Sequence, residues 1–274
     1  MVDLKMLQAK QLEIMDAIHK VCGDNNITYY LIAGSCLGAV RHGGIIPWDV
    51  DIDIAMPRDD YEHFFRIAGN SLPNTMDVHT YLTDEAFLKP HGLVCLKDTV
   101  LLSKSDLDNP QIPNFGIFID VFPLDKCPNN PNLQTKHKND YLRIGKLKKI
   151  KFSPIYKENT FLVKVVKHLC RLVLKPLSVR TINRWQQNVM MRYSNLEPCN
   201  LWCSMASKYK YEKQLMPKDY YGKPQLIKFE DREFYIPEQP EKYLTKLYGD
   251  YMKLPSKDEQ EKLRNYFIKV GFKL

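Results

Sequence analysis

Residues 29–56 read YYLIAGSCLGAVRHGGIIPWDVDIDIAM and set a small-residue turn beside an alternating row of carboxylates. Residues 29–33 are a short apolar run with aromatic and β-branched content that stops at Gly34 and Ser35, the pattern of a buried strand breaking into a turn. In residues 49–56, Asp49, Asp51 and Asp53 alternate with Val50, Ile52 and Ile54. A period of two puts the acids on one face of a strand and the β-branched side chains on the other, so the acidic face is not a core face. Between the two strands, CLGAVRHG reads as a short helix whose N-terminus favours an anion.

Carboxylates at i and i+2 on a strand repel, and at least one pKa rises unless a cation sits between them. Mg²⁺, with Mn²⁺ as a substitute, is the hard ion that takes one or two carboxylates together with substrate phosphates. The competing reading is a solvated edge strand with acidic outward positions. The upstream turn favours the metal, because Gly34 lets backbone approach a phosphate closely and Ser35 offers both an N–H and a hydroxyl.

Gly34-Ser35 followed by Asp51-x-Asp53 resembles the signature of the nucleotidyltransferase superfamily. That resemblance implies a mixed β-sheet flanked by helices, an α/β (α+β) fold, with the turn on nucleotide phosphates and the aspartates on Mg²⁺. The longer stretch LGAVRHGGIIPWDVDIDIAMPRDDYEHF resembles the LicD/fukutin family, which moves phosphocholine or a polyol phosphate from a CDP-activated donor onto a sugar. Val50 departs from the family's common IPWDDDIDI pattern, but it falls on the core side of the strand and leaves the acidic comb intact. The resemblance extends in pieces over most of the chain and is least specific in its central basic segment. By the same resemblance Arg41 and His42, in the RHG segment, would add charge or a hydrogen bond at the phosphates; helix-end packing is the alternative for both.

In residues 116–124, GIFIDVFPL, one carboxylate interrupts an apolar strand. A buried Asp needs a metal or cation to stay ionised. The family pattern places Asp120 as a third metal ligand or as general base for the acceptor hydroxyl, with an Asp bonded to backbone at the strand end as the alternative. Asp125, beyond Pro123, reads as that turn residue. After the metal strand, Asp59 with Glu62 reads as a capping box for a helix through Ala68. Residues 76–82 and 93–103, ending near Lys104, read as strands that extend the sheet.

At 274 residues, 44% hydrophobic and 26% charged, the chain can bury a sizeable core. A single domain is expected, with residues 1–128 as catalytic core, 129–200 as a basic helical insertion and 201–274 completing the fold. Its seven cysteines lack paired CxxC spacing, which suits reduced thiols better than a disulfide framework or zinc site. The amino-terminal stretch has Leu4, Leu7, Ile14, Ile18 and Val21 at helical spacing and no continuous apolar centre, so it reads as an amphipathic helix and not a signal peptide. No run is long enough to span a membrane. The protein is expected in the cytoplasm.

Residues 136–184 hold 14 Lys/Arg against Asp140 and Glu158, a balance of +12 within a chain of +8. In FLVKVVKHLCRLVLKP, Lys164, Lys167, His168, Arg171 and Lys175 recur at helical steps, with Phe161, Leu162, Val165, Val166, Leu169, Leu172 and Val173 around the rest. Three readings compete: a membrane-surface anchor, a grip on an anionic lipid-linked acceptor, and an ordinary helix with a solvated basic face. The scarcity of acid favours peripheral contact with the anionic inner face of the plasma membrane. Nucleic acid is disfavoured because aromatics are not interleaved with the basic residues. Trp202, Tyr209, Tyr211, Tyr220 and Tyr221 could cage a choline head group, or pack in the core. In the C-terminal part, residues 229–237 read as a strand, Glu230 and Asp231 as possible substrate contacts without an assigned role, and Pro240 as the start of a helix ending near Gly249.

The family resemblance implies a Mg²⁺-dependent phosphotransferase, with CDP-choline as first-choice donor and a capsule polysaccharide or teichoic-acid precursor, lipid-linked or free, as acceptor, in cell wall biosynthesis. CDP-glycerol and CDP-ribitol stay open as donors. A nucleotidyltransferase releasing pyrophosphate is the enzymatic alternative, and a non-catalytic membrane- or glycan-binding module the third class.

Overall fold

The computed structural model describes residues 3–84, 87–103, 106, 113–152 and 160–272. Helix α1 (Leu4–Asp24) opens the fold, capped by Asp3, whose side chain accepts the Met6 N–H at 3.1 Å. Strand β1 (Tyr30–Leu31), helix α2 (Ala33–His42), strand β2 (Asp53–Pro57) and helix α3 (Arg58–Ser71) follow. Strands β3 (Met76–His79), β4 (Gly92–Leu96), β5 (Thr99–Ser103) and β6 (Phe118–Cys127) come next. The basic segment forms helices α4 (Pro131–Phe152), α5 (Phe161–Val173) and α6 (Val179–Met190). The chain then adds β7 (Leu201–Cys203), α7 (Tyr211–Gln214), β8 (Leu215–Pro217), α8 (Lys218–Tyr221), β9 (Gln225–Phe229) and β10 (Arg232–Ile236). It closes with α9 (Pro240–Tyr248), α10 (Lys257–Arg264) and β11 (Phe267–Phe272).

The main sheet runs β1-β2-β6-β4-β3, with β7 joined to β6 and β8 to β7. β2 and β6 are parallel and the other neighbours antiparallel, giving the mixed sheet and α+β class the sequence implies. β4 is buried at every residue and β6 at most, which is why unbroken apolar runs occupy the centre. Helices α1 and α3 touch each other and pack on this sheet. The α1 stripe of Leu7, Ile14, Met15 and Ile18 is wholly buried, each side chain contributing roughly 1.5–3 kcal/mol. All seven cysteines are free thiols. Among the described residues no helix is long and apolar enough to cross a membrane.

Three local expectations need correction. Residues 93–103 are not one strand: the chain reverses at Lys97-Asp98, where Asp98 takes φ +56°, and β5 leaves the main sheet to pair with β11. Lys104 lies outside the described residues. The capping box at Asp59 does not form, because the helix already starts at Arg58 after Pro57, and the Glu62 carboxylate accepts from Arg58 instead. The single strand over 229–237 is the second arm of the β9–β10 hairpin, and Glu230 sits at its turn with φ +60°.

Candidate active site

Asp51, Asp53 and Asp120 converge, with one oxygen of each within 4.8 Å of the others. The sheet produces this directly: in the parallel β2–β6 ladder Asp53 lies opposite Asp120. Asp51 is two residues before Asp53 and so shares its face. Val50, Ile52 and Ile54 are buried behind them, as the alternation requires. Asp49 and Val50 lie outside the strand, and α1 holds their backbone. Gln11 Nε2 donates to the Val50 carbonyl at 2.9 Å and Gln8 Nε2 to the Asp49 carbonyl at 3.0 Å.

Burial pushes Asp51 and Asp53 above the usual carboxylate range, and for Asp53 the charges of Asp51 and Asp120 add to it. Burial and then repulsion from Asp51 push Asp49 up to about 8. Burial works in the same direction on Asp120, but Lys89 and His91 outweigh it and hold that carboxyl well below its ordinary value. Three hard oxygen donors this close, with more negative charge than the burial tolerates, fit Mg²⁺ or Mn²⁺.

Lys89 and His91, absent from the sequence reading, both point at this carboxylate. Lys89 Nζ and His91 Nε2 donate to Asp120 Oδ1 at 2.9 and 2.7 Å, and His91 Nδ1 is buried with no partner among the described residues. Partial loss of water lowers the Lys208 pKa, but Asp51 and Asp53 outweigh that and raise it. All of these groups line one cleft of about 490 Å³, together with Phe115, Tyr209 and Tyr266. The only sequence signal for Lys89 and His91 is two basic residues in the turn before a strand that pairs with the strand of the lone Asp.

The loop carrying Lys89 and His91 is held by the basic helical segment. Lys148 Nζ donates to the Leu88 carbonyl at 2.7 Å, Asn183 Nδ2 to Phe87 O at 2.7 Å and Gln187 Nε2 to Pro90 O at 2.8 Å. Lys148 has amide oxygens of Asn183 and Gln186 as its other partners, and burial without a described carboxylate lowers its pKa to about 8. Residues 129–200 therefore do more than decorate the core, since α4 and α6 set the loop that faces Asp120.

The other predicted residues distribute unevenly. Gly34 and Ser35 lie in the first turn of α2. A Cβ at Gly34 would meet Asp49 Oδ2 at 2.7 Å, so glycine permits that approach. The Ser35 hydroxyl accepts the Asp53 N–H at 2.8 Å and its own N–H goes to Ile32 O, so Ser35 ties α2 to the strand of Asp53. Arg41 and His42 sit at the opposite end of α2, a helix rising about 1.5 Å per residue. Arg41 donates to the Tyr251 carbonyl at 2.6 Å and His42 packs edge-on against Trp48, so the structure brings neither to the carboxylates.

The aromatic cage does not assemble as a unit. Trp202 and Tyr221 are buried and pack against each other with tilted rings, Tyr211 lies against His137, and of the proposed five only Tyr209 lines the cleft. Asp125 is not a turn residue: it lies inside β6, 1% exposed, in a two-pronged pair with Arg58. Glu230 accepts the Ile45 N–H at 2.8 Å, a structural tie between the hairpin and the segment after α2.

Residues 26–125 match the family described as LicD/FKTN/FKRP, nucleotidyltransferase domain. The chain is 30% identical over 266 residues to the lipopolysaccharide cholinephosphotransferase LicD of Haemophilus influenzae, covering 94% of each chain. Over 60 residues it is 35% identical to the human ribitol 5-phosphate transferase FKRP, covering 22% of this chain and 12% of that protein. An uncharacterized Rickettsia typhi protein is 46% identical over 55 residues, 20% of this chain and 18% of that one. The full-length similarity to a cholinephosphotransferase, with the matching domain laid over the carboxylate strands, makes this chain a member of the LicD family of transferases.

Proposed function

We propose that this protein is a Mg²⁺-dependent phosphotransferase that moves phosphocholine, or a related alcohol phosphate, from a CDP-activated donor to a sugar hydroxyl and releases CMP. The observation that carries the reading is the meeting of Asp51, Asp53 and Asp120 within 4.8 Å in a cleft that also holds cations and aromatic rings. Asp51 and Asp53 hold the ion, with Mn²⁺ as a substitute, and Asp120 either completes its ligands or takes the acceptor proton. A bound Mg²⁺ supplies neutralisation of charge on the phosphates of the donor.

The chain's own residues orient the reaction. The start of α2 at Gly34 presents backbone to the donor diphosphate, while Ser35 fixes its distance from Asp53. Lys208 lies across the cleft as a counter-charge for the departing phosphate, in place of Arg41 and His42. Lys89 and His91 bond to one oxygen of Asp120 and keep it ionised. The rings of Phe115, Tyr209 and Tyr266 offer apolar and cation–π contact to a trimethylammonium group. The acceptor is a glycan precursor of the cell surface, and a lipid-linked acceptor would be met at the inner face of the plasma membrane.

The test is CMP release from CDP-choline, CDP-glycerol, CDP-ribitol and CDP-ethanolamine in the presence of an acceptor extract, with and without Mg²⁺. The expected result is metal-dependent CMP from one donor, reduced roughly 10²–10³-fold or more in Asp51→Asn, the range for removing a group that stabilises the transition state. Pyrophosphate release from a nucleoside triphosphate, with no CMP from any donor, would overturn the reading in favour of nucleotidyl transfer.

A further inference from the structure

Helix α5 is amphipathic, and the fold turns it inside out. Its charged stripe faces the protein: Lys167 is 8% exposed, Lys164 and Arg171 are half-buried, and Arg171 Nε donates to the Ile150 carbonyl at 3.0 Å. Its apolar side faces solvent, with Phe161 80%, Leu162 69%, Leu169 58% and Val173 77% exposed. Val166 and Leu172 continue the same surface. The position is fixed from α4, whose Lys151 reaches the carbonyls of Leu174 and Leu177 just past the end of α5. Between α4 and α5 runs an apolar groove of about 500 Å³ with Lys146 and Lys149 on its lining.

A soluble surface rarely leaves so large a contiguous apolar patch uncovered. The charge around it decides what covers it. The segment carries 14 basic residues against two acidic ones, so a second copy seated here would bring two strongly positive surfaces together. An anionic bilayer satisfies both features, taking apolar side chains into the acyl boundary and lysines at the headgroups. We infer that α5 is a membrane-docking helix that inserts Phe161, Leu162, Leu169 and Leu172 into an anionic lipid surface, with the α4 lysines at its rim. This names the surface behind the membrane contact in the proposed function and rests on that reading only for why the contact is useful. Of the three readings the sequence leaves open, an ordinary helix with a solvated basic face would require the opposite geometry, with the basic stripe outward.

The test is co-sedimentation of the full chain with phosphatidylglycerol and with phosphatidylcholine vesicles, read without donor or metal so that it stands apart from CMP release. The parent is expected to bind phosphatidylglycerol vesicles at least tenfold more tightly than phosphatidylcholine ones. A Leu169→Glu/Leu172→Glu double variant should lose at least tenfold while keeping its thermal midpoint and its CMP release from soluble donor. In Leu169→Trp, fluorescence should shift to the blue with anionic vesicles. Unchanged binding by the double glutamate variant would overturn the inference. So would a lipid-free dimer that the same variant dissociates, because the occupant would then be a second copy.

Discussion

Strand β6 carries two buried carboxylates with opposite surroundings. At its far end Asp125 receives Arg58 Nε at 2.7 Å and Nη2 at 2.8 Å, and Arg58 completes its donors on Glu62 and Gln187. Burial lowers the Arg58 pKa on its own, but Asp125 outweighs it and keeps the guanidinium charged. At the near end Asp120 also has cationic partners, yet Asp53 lies opposite it and Asp51 and Asp49 beside that. One node is balanced and closed, and the other keeps surplus negative charge open to a cleft. The difference teaches that the same residue on the same strand closes into a structural pair where cations saturate it and lies open to a cleft where other carboxylates crowd it.

The sharpest way to break the balanced node is Arg58→Ala, which leaves Asp125 buried and unpaired. It should cost about 3–5 kcal/mol in a urea titration, and a loss below 1 kcal/mol would mean that Asp125 is not an ion-pair partner.

The unbalanced node answers to pH and metal. Asp49 and Asp51 have raised folded-state pKa values, so their contribution to stability is full below the unfolded value of about 4 and is lost as pH rises through the raised folded-state values, about 8 for Asp49. In metal-free buffer the thermal midpoint should therefore fall between pH 5 and pH 8. Mg²⁺ at a hundredfold excess over its Kd should restore about 2–3 kcal/mol at pH 8 and almost nothing at pH 5, where protons occupy the same oxygens. Asp51→Asn should flatten both responses, and a Mg²⁺ effect of equal size at both pH values would contradict the assignment.

Gln187 joins the two nodes, accepting from Arg58 at 3.1 Å and donating to Pro90 O at 2.8 Å. Gln187→Leu leaves a buried N–H and a carbonyl short of a partner, at about 1–2 kcal/mol in the same titration. Because Pro90 lies between Lys89 and His91, CMP release should also fall, roughly tenfold. Loss of stability without loss of rate would separate the two ends of β6.

The acidic comb was legible because alternation survives even where the strand does not: β2 begins only at Asp53, yet Asp49 and Asp51 line the same cleft as Asp53, with Gln8 and Gln11 holding the backbone at Asp49 and Val50. Asp120 was legible as a lone acid in an apolar run. Lys89 and His91 were not, since their meaning depends on a partner 29–31 residues away that only the β4–β6 pairing brings near. The period of α5 was plain but its orientation was not, because periodicity defines two faces and the neighbours decide which one turns inward. The clustering of Trp202 and the tyrosines in sequence likewise said nothing of where each ring would go.

The loop of Lys89 and His91 is gripped by its carbonyls. Lys148, Asn183 and Gln187 bind the main chain of Leu88, Phe87 and Pro90 and ignore the side chains those residues carry. A mutation at position 88 or 89 thus changes what faces the cleft without releasing the loop that presents it. Such a scaffold can vary the side chains that line its cleft by single substitutions while the loop that carries them stays in place.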